Sequence, residues 1–276
     1  MLDKLVMTSP KTDLTKEKVS SILQGQYSHC TIEATRFHNS VLVYHRSKAK
    51  ADHLVSIHLE PRLDNINPLK VEINPTHFQT ISHLEGFLEQ FCDLDGLAIS
   101  RIDHAVDITT KTVSEVHSML ICSRKKSREL YKNGVDMETF YLGMPPERVV
   151  VYNKAIKEDS EGIKTRIEVQ QYRHKVAVNN FKNLADCQSI NPFKNLKFNE
   201  LNEVEPESLA DKKKVLRLKH QLALRGAQAS YKLLNGHSNF KRDFGHLIKV
   251  GAGIPNLFEL YQANLSGYFK LNTVLN

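Results

Sequence analysis

Residues 147–154 constrain the fold of this chain more than any other stretch. They read Glu-Arg-Val-Val-Val-Tyr-Asn-Lys and follow the turn-forming residues 143–146, which predicts a β-strand that begins after a turn. Because side chains alternate along a strand, Arg148, Tyr152 and Lys154 should share one face. A tyrosine between two cations is unusual in a core. It is a candidate nucleophile, because a phenol with a pKa of about 10 needs cationic or metal help to attack at neutral pH.

Three further segments alternate apolar and polar residues, as expected of strands with one polar face, at residues 70–74, 101–108 and 166–170. The acidic residues on those polar faces are Glu72, Asp103, Asp107 and Glu168. If the four strands share one sheet, these carboxylates can meet Tyr152 on one surface. The alternative interpretation is a solvated sheet face with cross-strand ion pairs.

Four short motifs occur in a fixed order along the chain. They are a basic-apolar-Glu-apolar-Asn-Pro segment, an Arg-Ile-Asp-x-Ala-x-Asp segment, a Thr-x-Tyr-x-Gly hairpin that ends in Val-Tyr-Asn-Lys, and an Arg-apolar-Glu-apolar segment, at residues 70–75, 101–107, 139–154 and 166–169. In this order they resemble the rolling-circle replication initiators of small plasmids and filamentous phages, the Rep-trans or replication initiation factor family. The resemblance covers roughly residues 68–175 and does not extend clearly into the C-terminal third.

The resemblance implies a reaction and a nucleophile. In this family the tyrosine of the Tyr-Asn-Lys motif nicks one DNA strand at an origin, forms a 5′-phosphotyrosine and frees a 3′-hydroxyl that primes replication. That residue is Tyr152 here. On spacing alone Tyr141 and Tyr172 are rival nucleophiles, and only the family motif favours Tyr152. The cations that could contact the phosphate or lower the pKa of the tyrosine are Arg148, Lys154 and Arg166.

Phosphoryl transfer of this kind is expected to use a divalent metal, which neutralises charge on the phosphate and on the leaving oxygen. The chain has no His-apolar-His motif, which favours a carboxylate-rich site. Hard oxygen ligands suit Mg²⁺ or Mn²⁺. We predict that Glu72, Asp103 and Glu168 bind this metal, with Asp107 in reserve.

Two other functions stay open at this point. One is a related strand transferase, such as a mobilisation relaxase or a transposase, which would share the site and differ in its DNA target. The other is a non-catalytic DNA-binding regulator of the same fold. The complete set of tyrosine and acidic residues argues against the regulator. A covalent protein–DNA adduct would separate the two classes.

The pattern of elements predicts an α+β fold with a central, mostly antiparallel sheet, flanking helices and a helical, basic C-terminal region. We expect a catalytic nicking domain at residues 1–186, a linker at 187–210 and the basic region at 211–276. The predicted helices span residues 15–23, 78–91, 113–131, 209–234 and 255–265.

Positive charge is concentrated at the C-terminal end. The chain carries a net charge of +7, and residues 211–276 alone account for +8. This asymmetry predicts a nucleic-acid contact in the C-terminal region, whereas the alternative is a solvated basic helix. The candidate DNA-binding residues are Lys212, Lys213, Lys214, Arg217 and Lys219, together with Arg124, Lys125 and Arg128 on the predicted helix 113–131.

The expected compartment is the cytoplasm. No run approaches the ~18 apolar residues of a membrane helix, and the N-terminal residues lack the basic-then-apolar pattern of a signal segment. The four cysteines are isolated, so neither a zinc site nor a disulfide framework is indicated. The expected partners are DNA, both as a double-stranded origin and as a single-stranded nick site, a second copy of the chain in a homodimer, and a host helicase.

Overall fold

A computed structural model describes residues 1–44, 53–122, 127–133, 136–201, 209–235, 248–250 and 254–269 of this chain. Two compact units emerge from it. The first comprises Met1–His104, Gln170–Asn191 and Tyr261–Asn276, and the second comprises Ala105–Val169 and Pro192–Leu260.

The helices are α1 (Lys16–Leu23), α2 (Ile81–Leu88), α3 (Val113–Met119), α4 (Lys154–Glu158), α5 (Leu209–Asn235) and α6 (Leu257–Tyr268). The strands are β1 (Leu2–Ser9), β2 (Ser28–Ala34), β3 (Phe37–Tyr44), β4 (His53–Pro61), β5 (Leu69–Ile73), β6 (Ala98–Ile108), β7 (Leu120–Cys122), β8 (Ser127–Asn133), β9 (Asp136–Met144), β10 (Glu147–Asn153), β11 (Thr165–Tyr172), β12 (Leu196–Leu201) and β13 (Ile248–Val250). Short 3-10 turns lie at Pro75–His77, Leu94–Gly96, Arg173–Lys175 and Phe181–Gln188.

The first unit is built on antiparallel strands in the order β2-β3-β4-β5-β1-β6. Leu5 of β1 lies opposite Ile73 of β5 and Ile102 of β6, and all three side chains are buried. The apolar members of each alternating strand therefore form one core layer. Helices α1 and α2 each begin at a threonine, Thr15 and Thr80, whose hydroxyl accepts a hydrogen bond from a backbone N–H of the first turn.

The second unit contains the end of β6 and the start of β11, followed in the sheet by β10, β9 and β8. A separate three-stranded sheet runs in the order β13-β12-β7. Thr112 and Glu115 form a capping box at the start of α3. From that helix the His117 ring packs edge-on against Phe140 of β9, with 4.9 Å between ring centroids. The predicted α+β class and the mostly antiparallel sheet are confirmed.

One predicted helix is wrong. Residues 113–131 do not form a single helix, because α3 ends at Met119 and the chain continues as strands β7 and β8. Leu120 and Cys122 are buried and pair with Phe198 and Leu196 of β12. Their apolar-x-apolar spacing fits a strand as well as a helix end, and only the pairing with a distant strand decides between them.

Two smaller predictions also need correction. The helix predicted at 78–91 is confined to Ile81–Leu88, since Thr80 caps it and a 3-10 turn lies before it at Pro75–His77. Strand β10 ends at Asn153, whose side chain caps α4. Lys154 is therefore a helix residue and does not continue the strand face of Tyr152.

The two units divide the chain differently from the predicted domains. The segment predicted as a linker, residues 187–210, contains strand β12, and the second unit resumes at Pro192 within it. The predicted helical C-terminal region does contain α5 and α6. None of the helices in the described ranges has the length and hydropathy that crossing a membrane would require.

Candidate functional site

Tyr152 lies near the end of β10, opposite Thr139 of β9. Its side chain is buried, at 9% exposure, and its hydroxyl donates a hydrogen bond of 2.7 Å to Oε1 of Glu168 on the neighbouring strand β11. Glu168 is itself buried. The two residues that sequence analysis assigned to one strand face therefore touch. At this point, however, the strand face is buried, whereas the alternative interpretation required a solvated face.

Arg166, two residues before Glu168 on β11, forms an ion pair with the carboxylate of Asp107. Its Nε and one terminal nitrogen donate to the two oxygens of Asp107 at 2.6 and 2.8 Å. The arginine is 3% exposed, so the pair is a desolvated, bidentate ion pair. Arg166 was predicted to contact phosphate and Asp107 to support a metal. The structure instead brings the two together.

Hydrogen bonds and ion pairs join the start of the segment that follows β10 to its end. The backbone N–H of Lys154 donates to the carbonyl of Lys164 at 2.7 Å. Glu158 accepts from the Lys164 ammonium at 2.6 Å and lies 3.4 Å from that of Lys154. The hydrogen bond from Lys164 is the main cause that lowers the pKa of Glu158. Lys154 thus helps to hold the segment that follows the tyrosine.

Lys157 is a cation that sequence analysis missed. Its ammonium lies 5.0 Å from the centroid of the Tyr152 ring, a distance at which a cation is attracted to the ring face. The missed signal was the helix start at Asn153. Because α4 begins at this point, the Lys157 side chain reaches back over the Tyr152 ring at the end of β10. A strand that stayed extended through residue 154 would not allow this contact.

Arg148 and Tyr141 form a second aromatic–cation pair in the same hairpin. The Arg148 guanidinium carbon lies 5.2 Å from the centroid of the Tyr141 ring. Both side chains are partly exposed, in contrast to Tyr152. Arg148 therefore keeps access to solvent, as its predicted contact with phosphate requires.

Glu72 lies in the first unit and is bound by lysines. Its carboxylate is 2.6 Å from the ammonium of Lys4 and 2.5 Å from that of Lys70, with Nε2 of His58 at 3.7 Å. Burial pushes the pKa of Glu72 upward, but the two lysines together outweigh burial and lower it to about 2. Glu72 therefore stays ionised across the physiological pH range.

Asp103, also in the first unit, accepts two hydrogen bonds from Arg101 at 2.7 and 2.5 Å. The carboxylate is buried, at 2% exposure for the residue. Burial raises the pKa of Asp103 above its ordinary value, although Arg101 opposes this. The Arg101 guanidinium also lies 4.7 Å from the centroid of the Tyr172 ring.

All four predicted metal ligands already have protein partners. Three of the carboxylates bind Lys or Arg, and the fourth accepts from the Tyr152 hydroxyl. Across the part of the chain that the structure describes, no three His, Cys, Asp or Glu side chains come together in a way that could hold a metal ion. In the described arrangement these carboxylates bind cations or the Tyr152 hydroxyl, and the assignment of Glu72, Asp103, Glu168 and Asp107 as ligands of a divalent ion stays a prediction.

The predicted DNA-binding residues fall into two groups. Those on the first half of α5 are all exposed, namely Lys212, Lys213, Lys214, Arg217 and Lys219. The other group was expected on a helix. Arg128 instead belongs to strand β8, and Arg124 and Lys125 lie outside the described residues.

Comparisons with known proteins give a likeness to solved structures but none to a family model or a curated protein. The structure of this chain is similar to a solved structure described as a rolling circle replication initiator protein from Geobacillus stearothermophilus. The two chains are 14% identical, the likeness covers 75% of this chain and 89% of that chain, and the TM-score is 0.46.

Proposed function

We propose that this protein is a rolling-circle replication initiator that nicks one DNA strand at an origin through Tyr152. The observation that carries this function is the hydrogen bond of 2.7 Å between the Tyr152 hydroxyl and Glu168. It joins the Tyr-Asn-Lys strand to the Arg-apolar-Glu-apolar strand, two of the four motifs that occur in family order. A phenol whose hydroxyl is fixed by an adjacent carboxylate has both the defined position and the proton acceptor that a nucleophile requires.

The reaction is an in-line displacement at phosphorus. A bond forms between the Tyr152 oxygen and the phosphorus while Glu168, which already accepts the hydrogen bond from the phenol, takes its proton. The bond from phosphorus to the 3′-oxygen breaks, and that oxygen takes up a proton from solvent. The products are a 5′-phosphotyrosine and a free 3′-hydroxyl. Glu168 fixes the direction of the phenolic oxygen, and Lys157 places positive charge beside the ring at 5.0 Å. Lys164, 4.0 Å from Asp107, adds further positive charge in the same unit.

The divalent metal stays a prediction within this proposal. When bound, such an ion would neutralise charge on the scissile phosphate. The dependence of adduct formation on added Mn²⁺ or Mg²⁺ measures whether the protein needs one.

A covalent-adduct assay tests the proposal. The wild-type protein is incubated with Mn²⁺ and either single-stranded DNA or supercoiled DNA of the genetic element that carries its gene, and protein–DNA adducts are separated under denaturing conditions. We expect an adduct with the wild type and none with Tyr152→Phe. Tyr172→Phe is the matched control, because it removes the hydroxyl of a rival phenol outside the proposed reaction, and it should keep the adduct.

The substitution also removes the hydrogen bond to a buried carboxylate, so Tyr152→Phe should lose about 1–3 kcal/mol of stability. The assay is therefore run well below the unfolding midpoint of the variant. An adduct that persists in Tyr152→Phe would move the nucleophile to Tyr141 or Tyr172. Tight DNA binding without any adduct in the wild type would favour the non-catalytic regulator.

A further inference from the structure

The hairpin of β9 and β10 presents an aromatic ring and a guanidinium on the face that carries Tyr152. Tyr141 lies opposite Val150, and Tyr152 lies opposite Thr139. Residues directly opposite each other share a face, and so do residues two apart on one strand. Tyr141, Arg148 and Tyr152 therefore project from the same side of the hairpin.

The spacing along this face is short. Tyr141 is opposite a residue two positions from Tyr152, so the two tyrosines are separated by about 7 Å along the strand direction. Tyr152 is buried, whereas Tyr141 and Arg148 are both partly exposed. A ligand that reaches Tyr152 from solvent along this face would pass Tyr141 and Arg148, which are partly exposed.

The pair combines the two groups that bind single-stranded nucleic acid irrespective of sequence. An exposed tyrosine ring stacks on a base, and an arginine adds both a planar cation for stacking and a charge for the phosphate. The Arg148 guanidinium lies 5.2 Å from the Tyr141 ring centroid, so one nucleotide could contact both. We propose that Tyr141 and Arg148 form a binding subsite for one nucleotide of single-stranded DNA beside the scissile phosphate. This inference rests on the proposed function of Tyr152.

If Tyr141 and Arg148 only stabilised the hairpin, their substitution would have a different effect. Cross-strand pairs of this kind stabilise hairpins by about 0.2–1 kcal/mol. If that were the whole role, removing the ring would lower the unfolding midpoint and leave base-dependent binding intact. A base-stacking role predicts an effect that depends on whether the ligand has bases.

The test measures binding of two fluorescent strands of equal length to the full chain. One strand is oligothymidylate, and the other has the same phosphates with abasic sugars. Tyr152→Phe is the background, so that no adduct forms. Tyr141→Leu should weaken binding of oligothymidylate by about 5- to 100-fold and leave binding of the abasic strand unchanged. Tyr141→Phe, which keeps the ring, should retain the affinity of the background protein for both strands.

Arg148→Lys provides a second variant, because it keeps the charge and removes the plane. It should also weaken binding of oligothymidylate more than that of the abasic strand, and it carries the test if Tyr141→Leu does not fold. An equal loss for both strands, or no loss, overturns the subsite. Failure of the proposed function appears elsewhere, as an adduct that persists in Tyr152→Phe or that never forms in the wild type.

Discussion

His104 is a buried polar side chain that lies outside the proposed site. It is 0% exposed, with Nδ1 at 2.6 Å from the Tyr261 hydroxyl of α6 and Nε2 at 3.3 Å from Oε1 of Gln171. An amide oxygen can only accept, so Nε2 carries the proton and Nδ1 accepts from the tyrosine. The neutral imidazole therefore satisfies both partners and ties the C-terminal helix to β6.

We expect this histidine to make stability fall in mild acid. Burial lowers the pKa of His104 to about 4, from its ordinary value of 6.5. Between those two pH values the unfolded chain binds the proton and the folded chain does not, so stability is lost as the pH falls. The loss should reach about 2 kcal/mol at pH ~5 relative to pH ~7.5. Urea unfolding at both pH values measures it.

The pH dependence that belongs to His104 is isolated by comparing the wild type with His104→Phe. That variant keeps a ring in the space and removes the titrating group. It should be less stable than the wild type near neutral pH, because Tyr261 and Gln171 each lose a partner. Its stability should change less between the two pH values. The same pH dependence in both proteins would show that His104 is not its source.

The long helix α5 is interrupted by a single residue. Gly226 has φ 71° and ψ 167°, a conformation that is open essentially only to glycine. A Cβ built at this position would collide with the ring of His117, which is buried in α3. Beyond the interruption, the side-chain oxygen of Gln228 accepts from the backbone N–H of Cys122 at 2.7 Å. The interruption therefore sets how α5 packs on α3 and β7.

Gly226→Ala should destabilise the protein by about 2–5 kcal/mol, since backbone strain and overpacking against His117 both act. Urea unfolding measures the change. Gly86→Ala is the matched control, because this glycine lies inside α2 with no atom within 4 Å of the added Cβ. The control should gain about 0.5–1 kcal/mol through helix propensity. If Gly226→Ala left the free energy of unfolding unchanged, α5 would not require the glycine conformation at this position.

Charge is distributed unevenly over the chain as a whole. Residues 211–276 carry +8 against a total net charge of +7, which leaves the rest close to neutral. The five basic residues at 212–219 are exposed on α5. An exposed helix with several cations in about two turns has the electrostatic character of a phosphate-binding surface.

We expect this cluster to supply much of the affinity for duplex DNA. Binding of a cation to phosphate releases counterions, so removal of each such cation should flatten the plot of log affinity against log salt by about 0.9. Replacing all five of them by alanine should therefore weaken duplex binding and lower the slope by up to about 4.5. Cleavage of a short single strand should survive, because such a strand can reach Tyr152 without them. The variant replaces Lys212, Lys213, Lys214, Arg217 and Lys219.

A charge-matched control separates local binding from net charge. It removes exposed lysines that lie outside α5, namely Lys11, Lys18, Lys175, Lys182 and Lys194. If the α5 residues bind phosphate, the control should keep a slope near that of the wild type. Equal slopes for the wild type and the α5 variant would mean that the basic helix is solvated or serves another partner.

Local patterns in the sequence were enough to predict the position and type of several elements. Alternating β-branched and polar residues correctly placed β5, β6, β10 and β11. Local chemistry also marked the start of α1, where Thr15 accepts from a backbone N–H three residues away. The same alternation indicated which side of each strand carries Tyr152 and Glu168. Each of these features depends on residues that are close together in the sequence, so it can be recognised from the sequence alone.

Which groups meet was settled by long-range packing. The ion pair of Asp107 with Arg166 joins residues 59 apart, and the bond of His104 with Tyr261 joins residues 157 apart. The alternation along a strand shows which face a residue lies on but not which residue it contacts, so it did not reveal that each of the four carboxylates contacts a cation or a phenol. The residues after Met119 likewise form a strand because β12 offers hydrogen bonds there. Such choices depend on the burial and desolvation of both partners, and these exist only once the chain has folded.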